Sequence, residues 1–173
     1  MKVFIKTLII LLIPCYSFGA EYIYILNDKC IDDLYNNAVN YFQHSKIKPI
    51  RDSRGLILRL NIEDFLNEFY RPNLVTYKEI ENFLAKIENP AIIEVHTGDF
   101  SSEEVIKLKK WEISTIMANN IEAIITKPAG TIDQNRINSI GYGEFLPAKN
   151  TPYNGGKYSG RIDIIILCNV SGE

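Results

Sequence analysis

Residues 91–104, AIIEVHTGDFSSEE, constrain the fold of this chain more than any other stretch. Ala91-Ile92-Ile93-Glu94-Val95 is short, rich in β-branched residues and bounded by Pro90 and Gly98, which predicts a buried strand. It runs into a polar turn, His96-Thr97-Gly98-Asp99, and then into Ser101-x-x-Glu104 with capping-box spacing. In such a box the serine oxygen takes a free helix N–H while the glutamate reaches back to the cap. Strand, turn and helix start gather free backbone N–H groups and a positive dipole end at one spot, which suits an anionic group. That geometry is common, so it marks a binding edge and fixes no chemistry.

The flanking sequence supplies the other elements. Residues 21–26 alternate Tyr and Ile and predict a short strand, and residues 31–44 predict a helix with Ile31, Leu34, Ala38, Tyr41 and Phe42 at helical spacing. Pro49 closes that unit. RGLILRL (54–60) predicts a strand, 61–70 a mixed connection, and 76–87 a helix with Ile80, Phe83, Leu84 and Ile87 on one face. Residues 102–125 predict a long helix stopped by Pro128-Ala129-Gly130. RINSIGY (136–142) and RIDIIIL (161–167) predict strands on either side of a turn-rich loop. From Arg54 onward the order β-α-β-α-β-β predicts an α+β sandwich: a mixed sheet with helices on one face, plus a short N-terminal strand/helix extension.

The first twenty residues have targeting grammar: Lys2 and Lys6, an apolar run over 8–13, and the small-residue exit Ser17-Phe18-Gly19-Ala20. The expected layout is a signal peptide over 1–20, an extension over 21–48 and one domain over 49–173. Leu12-Ile13-Pro14-Cys15 resembles a bacterial lipoprotein box, so Cys15 is a candidate lipidation site. Pro14 stands where that box has a small residue, and plain cleavage after Gly19 stays open. Export places the mature chain in the periplasm, anchored to the outer membrane if Cys15 is lipidated. Cys30 and Cys168 are then the two remaining cysteines, one near each end of the mature chain. In an oxidising compartment they can bridge and tie the N-terminal segment to the last strand; two unrelated buried thiols are the alternative.

Several functions are disfavoured. The formal net charge is −2, and no basic stripe or nucleic-acid motif appears, so a nucleic-acid partner is not expected. The two histidines, His44 and His96, lie far apart in sequence, and no metal set or cofactor is expected. No nucleophile stands in a recognisable motif, so no catalytic residue is assigned and an enzyme is not expected. Trp111 is expected as a partly buried helix residue, Met117 on the apolar stripe of its helix, and His96 as an imidazole bonded within the turn.

The order of elements, with these residues, resembles the OmpA-like C-terminal domain of OmpA, the Pal lipoprotein and MotB, over about residues 49–167. The family's Gly-His-Thr-Asp turn is similar to Val95-His96-Thr97-Gly98, and its Leu-Ser-x-x-Arg-Ala helix to Ile113-Ser114-Thr115-Ile116-Met117-Ala118. Arg-Ile-x-x-x-Gly-Tyr-Gly-Glu-x-x-Pro is present as RINSIGYGEFLP, Arg136 to Pro147. The closing Asn-Arg-Arg-Val-Glu-Ile is reduced to Ser159-Gly160-Arg161-Ile162-Asp163-Ile164. The resemblance implies non-covalent binding of the peptidoglycan stem peptide, whose zwitterionic diaminopimelate asks for an acid opposite its ammonium and an Arg fork opposite its carboxylate.

This chain departs at both points. Gly98 stands in place of the family Asp, with Asp99 one residue later, and Met117 in place of the helix Arg. A lost bidentate pair weakens carboxylate capture by about 1.5–3 kcal/mol. The resemblance therefore implies Thr97, Gly98, Asp99 and Arg161 as the peptidoglycan-contacting set of a weakened or rearranged pocket. The alternative is an accessory subunit of an envelope complex that has lost peptidoglycan binding, such as the small OmpA-like lipoprotein of type IVB secretion systems.

Overall fold

The computed structural model describes residues 18–65, 73–97, 109–127, 132–143, 145 and 160–168, the side chains of 18–27, 63 and 65 excepted. In chain order the elements are α1 (Phe18–Tyr41), β1 (Lys48–Asp52), β2 (Gly55–Asn61), the single turn α2 (Ile62–Phe65), α3 (Leu74–Leu84), β3 (Ala91–His96), α4 (Lys110–Ile125), a 3₁₀ turn (Gln134–Arg136), β4 (Ile137–Gly143) and β5 (Arg161–Leu167). The sheet order is β1-β2-β5-β3-β4. The β1–β2, β2–β5 and β3–β5 pairs are antiparallel and β3–β4 is parallel. The α+β fold with a mixed sheet is the one expected.

Period-two side-chain alternation divides the sheet's two faces. Leu56, Leu58 and Leu60 of β2, Ile93 and Val95 of β3, and Ile162, Ile164 and Ile166 of β5 point to one side. There they meet Ile31, Leu34, Ala38 and Phe42 of α1 and its exit, Ile80, Phe83 and Leu84 of α3, and Ala118, Ile121 and Ile125 of α4 in one continuous core. Helices thus cover one face. The other face carries Arg59, Glu94, His96, Arg161 and Asp163, with buried Ile57 and Ile165 beside them.

Three local readings are corrected. Residues 21–26 are helical, part of α1, not a strand. Residues 48–52 form a strand that the sequence reading left out, because Lys48, Pro49, Arg51 and Asp52 interrupt any apolar pattern. The long helix starts at Lys110: Lys109 is extended (φ −70°, ψ 152°), and Glu112 accepts its N–H at 2.7 Å. The Ser101–Glu104 box lies outside the described residues. The predicted 31–44 helix ends with α1 at Tyr41, and the 161–167 strand matches β5.

Two devices bind the covalent periphery to the sheet. Cys30 of α1 and Cys168, just after β5, are disulfide-bonded across a sequence separation of 138. Arg136 donates to the carbonyls of Leu84, Ile87 and Asn89, joining the Ile87 N–H on Leu84 O and pinning the chain that leaves α3. Among the described residues, no helix is long and apolar enough to cross a membrane.

Candidate functional site

The site begins with two charges placed inside apolar strands. In RGLILRL and RIDIIIL, Arg59 and Asp163 break runs of Leu and Ile, and period two puts both on the face away from the helices. Arg59 pairs with Asp163 across β2–β5, Asp163 with Glu94 across β5–β3, and Arg161 with His96 in the next row. Arg59 grips Asp163 as a fork, Nε to Oδ1 at 2.7 Å and an Nη to Oδ2 at 2.8 Å. Arg161 Nε donates to the same Oδ2 at 2.8 Å. Arg54 links Asp52 (2.8 Å) to Glu94 Oε1 (3.1 Å), and His96 Nε2 stands 3.7 Å from Glu94 Oε2.

Electrostatics follow from this contact pattern. Burial pushes the Asp163 carboxyl upward, but the hydrogen bonds and charges of Arg59 and Arg161 outweigh it and hold it below its usual range. Glu94 behaves alike: burial raises it, and the neighbouring His96 ring with the Arg54 guanidinium brings it below its ordinary value. Donor atoms of Glu94, His96 and Asp163 lie within 4.8 Å of one another, a separation a metal ion could bridge. The charge environment does not fit one. Both Asp163 oxygens and one Glu94 oxygen already accept from guanidinium groups, and a dication would have to displace the arginines that hold them. The group is an ion-pair lattice in which Arg54, Arg59 and Arg161 meet three carboxylates, Asp52, Glu94 and Asp163.

The turn after β3 rests on this lattice. The His96 ring stacks on Tyr142 (4.9 Å between centroids, 8° between planes), and its Nδ1 bonds the carbonyl of Phe145 at 3.2 Å. Thr97 donates its N–H to Gly143 O at 2.9 Å. His96 Nε2 and Thr97 Oγ1 are buried and have no hydrogen-bond partner among the described residues. The RINSIGYG block explains the close approach of α4. A Cβ on Gly141 would lie 2.2 Å from Thr115 N, and Gly143, at φ +58°, would meet the Trp111 backbone at 2.9 Å. Gly143 N–H instead donates to Ser114 Oγ at 2.8 Å, which itself donates to Trp111 O at 2.9 Å. The most specific motif in the chain therefore builds the α4–β4 joint and caps α3 through Arg136.

Of the sequence-predicted binding residues, Thr97 is fully buried, and Arg161 is buried in β5 and bonded to Asp163. Gly98, Asp99 and the lipidation candidate Cys15 lie outside the described residues. Met117 packs half-buried against the core, and Trp111 is 50% exposed. Gly160, at the position of the family's first closing Arg, has no space for a side chain: a Cβ there would lie 2.4 Å from Ile62 Cδ1 and 2.8 Å from Thr97 O. Sequence reasoning missed Arg59, Glu94 and Asp163 as one unit. Their signal was present, as isolated charges within strands otherwise built of Leu and Ile.

No protein-family model matches the sequence, and no curated protein aligns with it significantly. Solved structures do match. A MotB-like protein from Desulfovibrio vulgaris superposes with a TM-score of 0.67 at 18% identity, over 82% of this chain and 99% of that one. The cell wall anchor of the type VI secretion system of Pseudomonas aeruginosa gives 0.54 at 11% identity, over 79% and 96%. The periplasmic domain of Helicobacter pylori MotB gives 0.53 at 15% identity, over 69% and 80%. The fold of this chain is that of the OmpA-like domain in its MotB-like form.

Proposed function

We propose that this chain is a cell-envelope protein of the periplasm whose OmpA-like domain is a non-catalytic, peptidoglycan-associated module. The observation that carries the reading is the guanidinium-bearing lattice beside His96 and Thr97 at the end of β3, on a fold shared with a structure described as a cell wall anchor. Guanidinium groups there suit a carboxylate-bearing ligand such as the stem peptide. Asp99 is the acid for the ligand's ammonium in this reading, and Arg161, held by Asp163, supplies charge more than a free fork. Residues 1–20 act as the leader, with Cys15 as an alternative lipid anchor, and 49–173 as the binding domain.

A second reading is an accessory subunit of an envelope complex, of the type IVB lipoprotein kind, that no longer binds peptidoglycan. The tight packing at Gly160 and the Met117 replacement favour it, because both remove a guanidinium that the family provides. Co-sedimentation of the purified mature protein with peptidoglycan sacculi separates the two. Pelleting of the wild type that Asp99→Ala abolishes supports the first reading. A wild type that stays in solution, with Met117→Arg gaining the pellet, supports the second.

A further inference from the structure

His96 uses one ring nitrogen and leaves the other idle. Nδ1 meets the Phe145 carbonyl at 3.2 Å, and a carbonyl can only accept, so Nδ1 carries the ring proton. In the neutral imidazole Nε2 is then a bare lone pair. It is buried, has no hydrogen-bond partner among the described residues, and stands 3.7 Å from Glu94 Oε2. Two acceptors face each other there with no hydrogen between them, and one proton would turn the contact into a charge-assisted bond. Neither side is free to turn away. Arg54 holds the other Glu94 oxygen, Oε1, at 3.1 Å, and the Tyr142 ring lies stacked on the imidazole.

Among the described residues, the titratable and charged groups around the ring come from each neighbouring strand. Glu94 shares β3, Asp163 and Arg161 face it from β5, and Tyr142 covers it from β4. Arg59 of β2 and Arg54, just before it, act through the carboxylates that they hold. Arg161 opposes a second proton on the imidazole, and Glu94 and Asp163 favour one. We propose that His96 is a proton-operated latch, in which a proton taken up at Nε2 closes the ring onto Glu94 Oε2 while Nδ1–H keeps the Phe145 carbonyl. The imidazolium then straps β3 to the chain that leaves β4, whereas the neutral ring holds only the Phe145 end. Acidification through the range in which imidazoles take up protons is the signal. The latch follows from the β3–β4 geometry and does not rest on the peptidoglycan reading.

The chain has two histidines, and the other, His44, is exposed and serves as an internal control. The test is nitrogen NMR of the histidine rings in the mature, disulfide-intact protein, without sacculi, as pH is lowered from the alkaline to the acidic side of the imidazole range. The neutral His96 ring should show a proton on Nδ1 and none on Nε2, and acid should add the second proton at Nε2. The Glu94 carboxyl carbon should shift in step with that event. Amide protection at Thr97 and Phe145, corrected for the intrinsic pH dependence of exchange, should rise severalfold across it, because their N–H groups bond Gly143 O and Tyr142 O at the strapped joint. Glu94→Gln should move the His96 transition to lower pH, leave that of His44 in place and abolish the gain in protection. If that variant does not fold, the Glu94 carboxyl shift in the wild type decides alone. A neutral His96 with its proton on Nε2 would overturn the proposal, as would a ring that stays neutral while His44 charges. So would a Glu94 signal indifferent to His96, a Glu94→Gln transition equal to wild type, or protection at Thr97 and Phe145 that does not change.

Discussion

Asp163 is 2% exposed and carries a charge because three hydrogen bonds from two arginines reach its two oxygens. Removing one partner of a buried ion pair leaves the others uncompensated and costs about 3–5 kcal/mol. Asp163→Asn is therefore expected to lower unfolding stability by about 3 kcal/mol, read by urea melts with unchanged m. Its pH behaviour has a definite sign. The folded-state carboxyls of Asp163 and Glu94 are depressed, so their stabilisation is present above the unfolded carboxylate range near about 4 and is lost as pH falls through the folded values. The wild-type melting temperature should hold between roughly pH 5 and 7 and drop below about pH 4, and Asp163→Asn should show a shallower drop. Gly160→Arg, which writes a family arginine back, should destabilise by about 2 kcal/mol or more because the backbone of Thr97 blocks its Cβ. A thermal melt equal to wild type would refute that assignment. At this scale the sequence was half legible. Charges inside apolar strands were visible in RGLILRL and RIDIIIL, but their convergence depends on the register of β2, β5 and β3, three segments far apart in the chain.

Elements were read well where burial enforces a period and poorly where it does not. β5, β3 and β2 are apolar on the core face throughout and appear within a residue of their expected bounds. β1 was missed because an edge strand needs no apolar run and this one is deliberately polar. The Tyr-Ile alternation over 22–25 imitates a strand, yet the segment continues the helix that Ile31, Leu34 and Ala38 anchor to the sheet. The Cys30–Cys168 bridge ties that helix to β5, as one of the two cysteine readings expected. Cys30→Ser with Cys168→Ser should cost about 2–4 kcal/mol, more from the looser unfolded chain than from lost contacts, and a melt by circular dichroism measures it. Arg136→Ala should cost about 2 kcal/mol by leaving the Leu84, Ile87 and Asn89 carbonyls underused, a loss that Arg136→Lys recovers only in part.

The whole molecule was legible as a topology because β-α-β-α-β-β and the RINSIGYG block coincide, and that block turns out to be architectural. Gly141 and Gly143 let α4 settle on β4, and the same joint positions the 96–97 turn through Thr97 and Gly143. Fold and binding chemistry are carried by different residues here, which is why a chain can keep the first while altering the second. The lattice of Arg54, Arg59 and Arg161 with Asp52, Glu94 and Asp163, beside His96 and Thr97, is proposed to serve an association with peptidoglycan. The most direct measurement is co-sedimentation of the mature wild-type protein with purified sacculi over a salt series, beside Asp99→Ala. The pelleted fraction should fall as salt screens the ionic contacts and be lost in Asp99→Ala. A wild type that remains in the supernatant at low salt, where such contacts are strongest, would contradict it.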